Sequence, residues 1–165
     1  MLPLQVARGT GVRLLDAMIL IYFSKVGLLD ALLHLPGLAV TTSVRNELLP
    51  SSTAREGVEA AIGDGLLALC DIDPENGVER TLYIMYRDGD GVHGLGEGEA
   101  TSMAVACARG LTFVSHDRLA RERSVSGGIK LLDWPELLTE LNDAGLITAK
   151  QRRDAERAIR RLLKE

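Results

Sequence analysis

Five short apolar runs alternate with helix-forming segments along this chain, and that order constrains the fold more than any other feature of the sequence. Each run is followed by a stretch with helical spacing of apolar residues or with a helix cap. Strands that alternate with helices pair in parallel, and the helices then cover both faces of the sheet. The pattern therefore predicts a three-layer α/β/α sandwich around a central parallel sheet of about five strands. The predicted strands are residues 12–16, 38–42, 66–72, 111–115 and 129–132.

Capping residues place the helices between these strands. We expect Ser43 to cap one helix and Thr53 to open a second through a capping box with Glu56. Asp73 followed by Pro74 predicts a third helix, because proline is favoured at the first helical position. The predicted helices are 18–34 with a break near residue 27, 43–49, 53–62, 74–87, 97–109, 117–124, 133–142 and 148 onward.

The length of 165 residues suits one domain with a sizeable core. We expect an irregular lead-in over residues 1–11 and a single α/β domain over residues 12–145. Residues 146–165 are predicted to form an amphipathic basic helix that packs on this domain or extends it. That helix begins at a capping box from Thr148 to Gln151 and carries an apolar stripe opposite its arginines.

The composition favours a cytoplasmic protein. No apolar run approaches the roughly 20 residues that cross a membrane, and residues 1–8 lack the basic-then-apolar order of a signal peptide. Cys70 and Cys107 lie in apolar segments without metal-like spacing, so we expect buried, reduced thiols. The net charge of −4 argues against nonspecific nucleic-acid binding by the whole surface, although a local basic face is compatible with it.

Four acidic residues occur where strands end or helices begin: Asp16, Glu47, Glu99 and Asp117. In a parallel α/β sheet these two kinds of position share the carboxyl edge, where open sheets bind ligands. The 18 residues from Glu99 to Asp117 are what one helix, one turn and one strand require. Like charges repel, and a cluster of carboxylates most often holds a hard divalent cation. Taken singly, each acid could instead cap a turn or helix, or lie on a solvated helix face.

The segments around these acids resemble the motifs of the PIN domain, the small nuclease fold of VapC-type toxins and related proteins. The matching segments are residues 14–17, 44–48, 96–106 and 113–117, which together span about residues 12–133. The Gly-Glu-Gly-Glu-Ala run at 96–100 and the tail at 142–147 look most like a poorly characterised prokaryotic branch of predicted nucleic-acid-binding PIN proteins.

This resemblance implies metal-dependent hydrolysis of RNA phosphodiester bonds, with Mg²⁺ or Mn²⁺ as the cofactor. Asp16 and Glu99 are the expected ligands of the principal ion, and Asp117 is expected to complete its shell directly or through water. Glu47 is expected to bind a second ion or to orient the attacking water. The resemblance also implies a homodimer, and it leaves RNA and single-stranded DNA open as substrates.

Residues beside the four acids have separate expected roles. Glu97 is not expected to be a ligand, because residues two apart on a helix face different directions, and it suits the dipole of a helix N-terminus. Ser115 is expected to hydrogen-bond an acid or a phosphate. His93 and His116 lie near the acids without ligand spacing. The glycine-rich loop 88–98 is expected to be mobile and to gate the acidic edge.

Two residues depart from the PIN pattern and keep other functions open. Many PIN nucleases follow the first aspartate with Thr or Ser and then Asn, whereas this chain has Ala17 and Met18. That difference favours a catalytically weak or inactive PIN-like module that binds nucleic acid or another protein. A third arrangement is a toxin that a small antitoxin silences by covering the acidic cleft. A receiver-type phosphorelay domain shares the fold class, but Asp16 lacks the second acid beside it that such a domain needs.

Overall fold

The computed structural model describes residues 11–89 and 94–164. Within this part of the chain, five strands form one parallel sheet in the order β3-β2-β1-β4-β5. The chain first builds outward from β1 to one side and then continues on the other side with β4. The strand order therefore reverses beside β1, which makes the carboxyl edge between β1 and β4 the switch point where such sheets bind ligands. The strands are β1 (Arg13–Leu15), β2 (Leu38–Val40), β3 (Leu67–Leu69), β4 (Thr112–Val114) and β5 (Lys130–Leu132).

Helices cover both faces of this sheet, as the sequence predicts. Alternate strand residues point to opposite faces, so Leu14 and Phe113 enter one buried cluster while Leu15 and Val114 enter the other. In the described residues the helices are α1 (Ala17–Lys25), α2 (Leu29–Leu33), α3 (Thr42–Glu47), α4 (Thr53–Gly63), α5 (Gly77–Asp88), α6 (Glu97–Arg109), α7 (Arg118–Ser126), α8 (Trp134–Asp143) and α9 (Ala149–Leu163). The three-layer α/β/α sandwich with a five-stranded parallel sheet is thus confirmed.

Two predicted helix caps are wrong by one or two residues, and one predicted helix start is wrong by three. Thr41, not Ser43, caps α3, and Ser52, not Thr53, caps α4 through a bond from the Arg55 amide. In both cases a neighbouring hydroxyl residue lies at the non-helical position that a cap requires. The largest shift is at α5, where the predicted start at residue 74 moves to Gly77.

The reason for the α5 shift lies in the turn before it. Asn76 caps α5 by accepting from the amides of Val78 and Glu79. Asp73 instead accepts from the Glu75 amide, which closes a local turn rather than a helix. An Asp-Pro pair is compatible with either arrangement, and the better cap further along the chain decides between them.

The C-terminal helix α9 packs on the domain. Its capping box at Thr148 and Gln151 is formed as predicted. Ala155 and Ile159 are buried in the same apolar cluster as α1 and α8, and the Arg160 guanidinium lies 5.2 Å above the Trp134 ring. The boundaries at residues 11 and 145 stay predictions, and most of the lead-in lies outside the described residues.

Two further expectations concern membranes and thiols. None of the helices in the described ranges is long and apolar enough to span a bilayer. Both cysteines are free, as expected, but only Cys70 is buried, whereas Cys107 is partly exposed. Cys107 lies near the end of α6, where the helix surface begins to leave the core.

Candidate active site

Asp16 follows β1 directly and is held in place by the start of α1. Its Oδ1 accepts from the Ala17 amide at 2.8 Å, and its Oδ2 accepts from the Ser115 hydroxyl at 2.9 Å. Only 4% of its surface is exposed. The structural interpretation of Asp16 as a helix cap is therefore correct, and the same contacts fix the carboxylate at the switch point of the sheet.

Asp117 lies at the same edge of the sheet, three residues beyond the end of β4. Its Oδ2 accepts from the Ala120 amide at 2.8 Å and caps α7. The Ser115 hydroxyl accepts from the Asp117 amide at 3.1 Å while it donates to Asp16. Ser115 is fully buried, so a single hydroxyl links the two strand-ending acids. This contact confirms the expectation that Ser115 bonds an acid.

Glu47 and Glu99 approach the same place from two helices. Glu47 is the last residue of α3, and its Oε1 accepts from the Gly98 amide at 3.1 Å. Glu99 lies in the first turn of α6, and its side chain is hydrogen-bonded to Asp117. Within the described residues, Glu99 Oε2 is buried without a hydrogen-bond partner. The structure thus brings together all four acids that the sequence singles out.

The four carboxylates perturb each other electrostatically. Burial, followed by the charge of Asp16 and the bond to Asp117, raises the pKa of Glu99 to about 8. Burial raises the pKa of Asp16 to about 6, although the bonds from Ser115 and Ala17 oppose the shift. Burial also raises the pKa of Glu47. Desolvation and like-charge repulsion therefore act on the same few side chains, which is the pattern typical of functional sites.

The positions of the carboxylates bear on metal binding. In the ranges 11–89 and 94–164, no three His, Cys, Asp or Glu side chains are arranged so that they could hold a metal ion as they stand. The donor atoms are carboxylate oxygens, the ligands that Mg²⁺ and Mn²⁺ prefer. The chemistry of the donors therefore suits a divalent cation, whereas their spacing in the described residues does not form a metal site as it stands.

The neighbouring residues take other partners. Glu97 accepts from the Tyr83 hydroxyl at 2.6 Å and pairs with Arg87, while its charge is one of the causes that raise the pKa of Glu47. His116 bonds Asp133 through Nδ1 at 2.8 Å rather than facing the acids. His93 and part of the loop 88–98 lie outside the described residues, so the predicted gating stays a prediction.

Two residues near the site were missed at the sequence level. A Cβ atom at Gly98 would overlap Glu47 Oε1, so the glycine is what lets Glu47 reach the α6 backbone. Its signal was present, since Gly98 stands between two glutamates in the first turn of a helix, where alanine is the better helix former. Asp133 was read only as a cap, and nothing in its local sequence indicates that it also holds His116 and Arg121.

Comparison with known proteins gives the family. No curated protein matches this chain. Among solved structures, the fold is similar to a chain in the crystal structure of VapBC2 from Rickettsia felis bound to a DNA fragment from their promoter. That similarity has a TM-score of 0.48 with 19% identity, and it covers 74% of this chain and 98% of the other. The profile of the family DUF3368, described as a PIN domain, matches residues 12–165. The chain therefore belongs to the PIN-domain family, whose members are generally nucleases.

Proposed function

We propose that this protein is a metal-dependent endoribonuclease that hydrolyses RNA phosphodiester bonds at the cluster of Asp16, Glu47, Glu99 and Asp117. The observation that carries the proposal is Glu99, whose half-buried carboxyl is surrounded by the three other acids and has one oxygen without a hydrogen-bond partner in the described residues. A buried acid without a counter-charge is costly for the fold alone. A bound divalent cation would balance that charge, and carboxylate oxygens suit it.

Each acid has a role that follows from its place. Asp16 and Glu99 would hold the principal Mg²⁺ or Mn²⁺ ion, and Asp117 would complete its shell directly or through water. Glu47 reaches the cluster from the other helix, and it would hold a second ion or orient the attacking water. The bound metal would supply an activated water and neutralise charge on the scissile phosphate.

The remaining contacts orient these acids at the proposed metal site. Ser115 fixes the orientations of Asp16 and Asp117 with one hydroxyl. Gly98 holds Glu47 through its amide, near the positive end of the α6 dipole. Residues that lock the ligands in this way reduce the reorganisation needed when the substrate binds.

A PIN-like binding module without cleavage is the second candidate function. Two residues favour it: Ala17 is buried beside Asp16, and Met18 is 42% exposed where many PIN nucleases carry polar residues. The first acid is therefore bonded by the backbone of α1 at Ala17 but lacks polar side chains at the next two positions. This candidate retains metal and RNA affinity and gives no RNA cleavage.

The partner assignments form part of the same proposal. The nucleases of this family include toxins, so a small antitoxin that covers the acidic edge would silence this protein, and pairing of two copies would give a homodimer. An adjacent short reading frame whose product co-purifies with the chain would support the antitoxin. Light scattering of the purified chain measures its mass, and a monomer at all concentrations would contradict the dimer.

The test of function is cleavage of a mixed RNA pool by the purified protein with Mn²⁺, Mg²⁺ or a chelator. We expect metal-dependent cleavage that Asp16→Asn and Glu99→Gln each abolish. Glu97→Gln is the matched control, because Glu97 shares the helix turn but bonds Tyr83 instead, and it should retain activity. Equal cleavage by all variants would identify a contaminant. Metal binding by calorimetry without cleavage would replace the nuclease with the binding module.

A further inference from the structure

A cavity of about 430 Å³ lies along α7, the helix that begins at the acidic cluster. Its walls include Arg118, Arg121, Glu122 and Val125, which occupy positions i, i+3, i+4 and i+7 and so share one helix face. Asp117, which precedes this face, caps the helix. With a rise of about 1.5 Å per residue, Arg121 lies roughly 6 Å along the helix from Asp117. The cavity is therefore next to the proposed site and distinct from it.

A buried carboxylate positions one cationic wall of the cavity. Asp133 is 6% exposed, accepts from His116 Nδ1 at 2.8 Å and pairs with Arg121 at 3.2 Å. A guanidinium has five N–H donors in a planar fork. Because Asp133 contacts Arg121 through one oxygen, other N–H donors of Arg121 are available to a ligand. Arg121 Nε is buried without a hydrogen-bond partner within the described residues. Asp133 thus contacts Arg121 through one guanidinium nitrogen, while 42% of the Arg121 side chain stays exposed.

The other walls combine positive charge with apolar surface. Arg118 is 92% exposed and, within the described residues, pairs with Glu122, which lies on the same helix face. Val125 is 70% exposed, and Leu131 of β5 also lines the cavity. A cavity lined by both arginine and apolar side chains suits a nucleotide, which combines an anionic phosphate with the apolar surface of its base and ribose.

We infer that this cavity binds one nucleotide of the RNA strand beside the scissile bond, with Arg118 and Arg121 on the two phosphates that flank it and Val125 on its base or ribose. The inference rests on the proposed nuclease function and specifies how that site takes its substrate. Arginine suits this task because its fork donates two parallel hydrogen bonds to phosphate oxygens. A strand held along α7 would run from the acids at the helix start towards Val125.

The test measures RNA binding without cleavage. The full chain carrying Asp16→Asn is titrated into fluorescein-labelled single-stranded RNA with chelator present, and anisotropy is read across a range of salt concentrations. Each lost phosphate contact reduces the magnitude of the log–log salt slope by about 0.7 for a single strand. Arg118→Gln with Arg121→Gln should therefore reduce it by about 1.4. Between about 50 and 200 mM salt, this difference corresponds to about sevenfold in affinity.

Matched variants separate the cavity from general charge. Arg80→Gln with Arg153→Gln removes the same charge from exposed helix positions elsewhere and should retain the parent slope. Val125→Ser should weaken binding while the slope stays unchanged. Because Arg121 contacts Asp133, Arg118→Gln alone serves as the variant that cannot disturb folding, and its expected slope change is about 0.7. Equal slopes for the two double variants, or no RNA binding by the parent, would overturn the inference.

A second arm distinguishes an RNA strand from free phosphate. Inorganic phosphate is added to the RNA complex at constant ionic strength, with sulfate as the comparison anion. We expect both anions to displace RNA equally weakly. Selective displacement by phosphate from the parent, but not from the arginine double variant, would assign the cavity to free phosphate and overturn the inference. If the active chain cleaves RNA although the slopes are equal, the nuclease stands and only the nucleotide cavity is wrong.

Discussion

Glu79 and Glu99 lie on two helices that pack against each other, yet their surroundings are opposite. Glu79 is 2% exposed, and it accepts from Arg109, from the Asp73 amide and from the Asn76 side chain. Glu99 meets acids instead and retains an oxygen without a partner in the described residues. The first glutamate ties a turn to α6 and needs nothing more. Burial and the neighbouring acids oppose the ionisation of the second and raise its pKa to about 8, and a bound cation would offset that cost.

The largest loss of stability is expected when the positive charge that pairs with Glu79, the guanidinium of Arg109, is removed. Arg109→Met should lower the free energy of unfolding by about 3–5 kcal/mol, because it leaves a buried carboxylate without its counter-charge. Urea denaturation measures the change. Arg80→Met on the exposed face of α5 is the matched control and should change little. Adding Glu79→Gln to Arg109→Met should recover part of the loss, and a double variant as unstable as the single one would contradict the paired description.

The second-largest change in stability is expected when a divalent cation is added and binds at the Glu99 cluster. Mg²⁺ or Mn²⁺ at about one hundred times its dissociation constant should stabilise the fold by about 2.7 kcal/mol, because it binds the native state. Thermal unfolding with and without chelator measures this. The same metal concentration should stabilise Asp16→Asn and Glu99→Gln far less. Equal stabilisation of all three proteins would place the metal elsewhere.

A smaller effect is expected from the glycine that admits Glu47. Gly98→Ala adds a methyl group that displaces the Glu47 carboxylate, while alanine itself favours the helix. We expect metal affinity or cleavage to fall by about 10–100-fold with the fold intact. The control is Gly96→Ala, whose added carbon would lie an ordinary 3.6 Å from Glu99. If both alanine variants bind metal like the parent, the Glu47 contact has no function.

The smallest effect should be a gain in stability from Glu99→Gln. At pH 8 and without metal, this change removes a repelled negative charge and should raise the free energy of unfolding by about 1 kcal/mol, a figure that allows for solvent screening. Glu97→Gln is the control and should bring no gain, because Tyr83 and Arg87 balance Glu97. A loss of stability in Glu99→Gln at pH 8 would show that its charge is balanced after all.

The raised pKa of Glu99 also determines whether the stability of the protein rises or falls with pH. Folding raises the pKa of Glu99 from 4.5 to about 8 and that of Asp16 from 3.8 to about 6. The folded state therefore holds protons that the unfolded state has released, so the metal-free protein loses stability as pH rises from about 4 to 8. Chemical denaturation at several pH values should show this fall, weakened in Glu99→Gln and reduced by metal. A rise over that range would contradict it.

Local sequence predicted the structure correctly where neighbouring residues do not compete for the same structural role. The alternation of apolar runs and helices predicted the three layers of the fold. The acids at strand ends and helix starts predicted the acidic cluster, because both kinds of position share one edge of a parallel sheet. It failed where neighbouring residues compete for one role, as at the start of α5, where Asn76 prevailed over Asp73. It also could not distinguish Glu79 from Glu99, because their difference lies in partners distant along the chain.

The sequence by itself determined the fold class, the family and the identity of four acids that meet. These follow from periodicity, from the direction of parallel crossovers and from motif order, all of which are local or statistical properties of the chain. Only the tertiary structure decided which acid is balanced, that Ser115 links Asp16 to Asp117, and that Asp133 positions Arg121 beside them. Charge balance depends on distance in space, and the packing of separate helices and strands sets that distance.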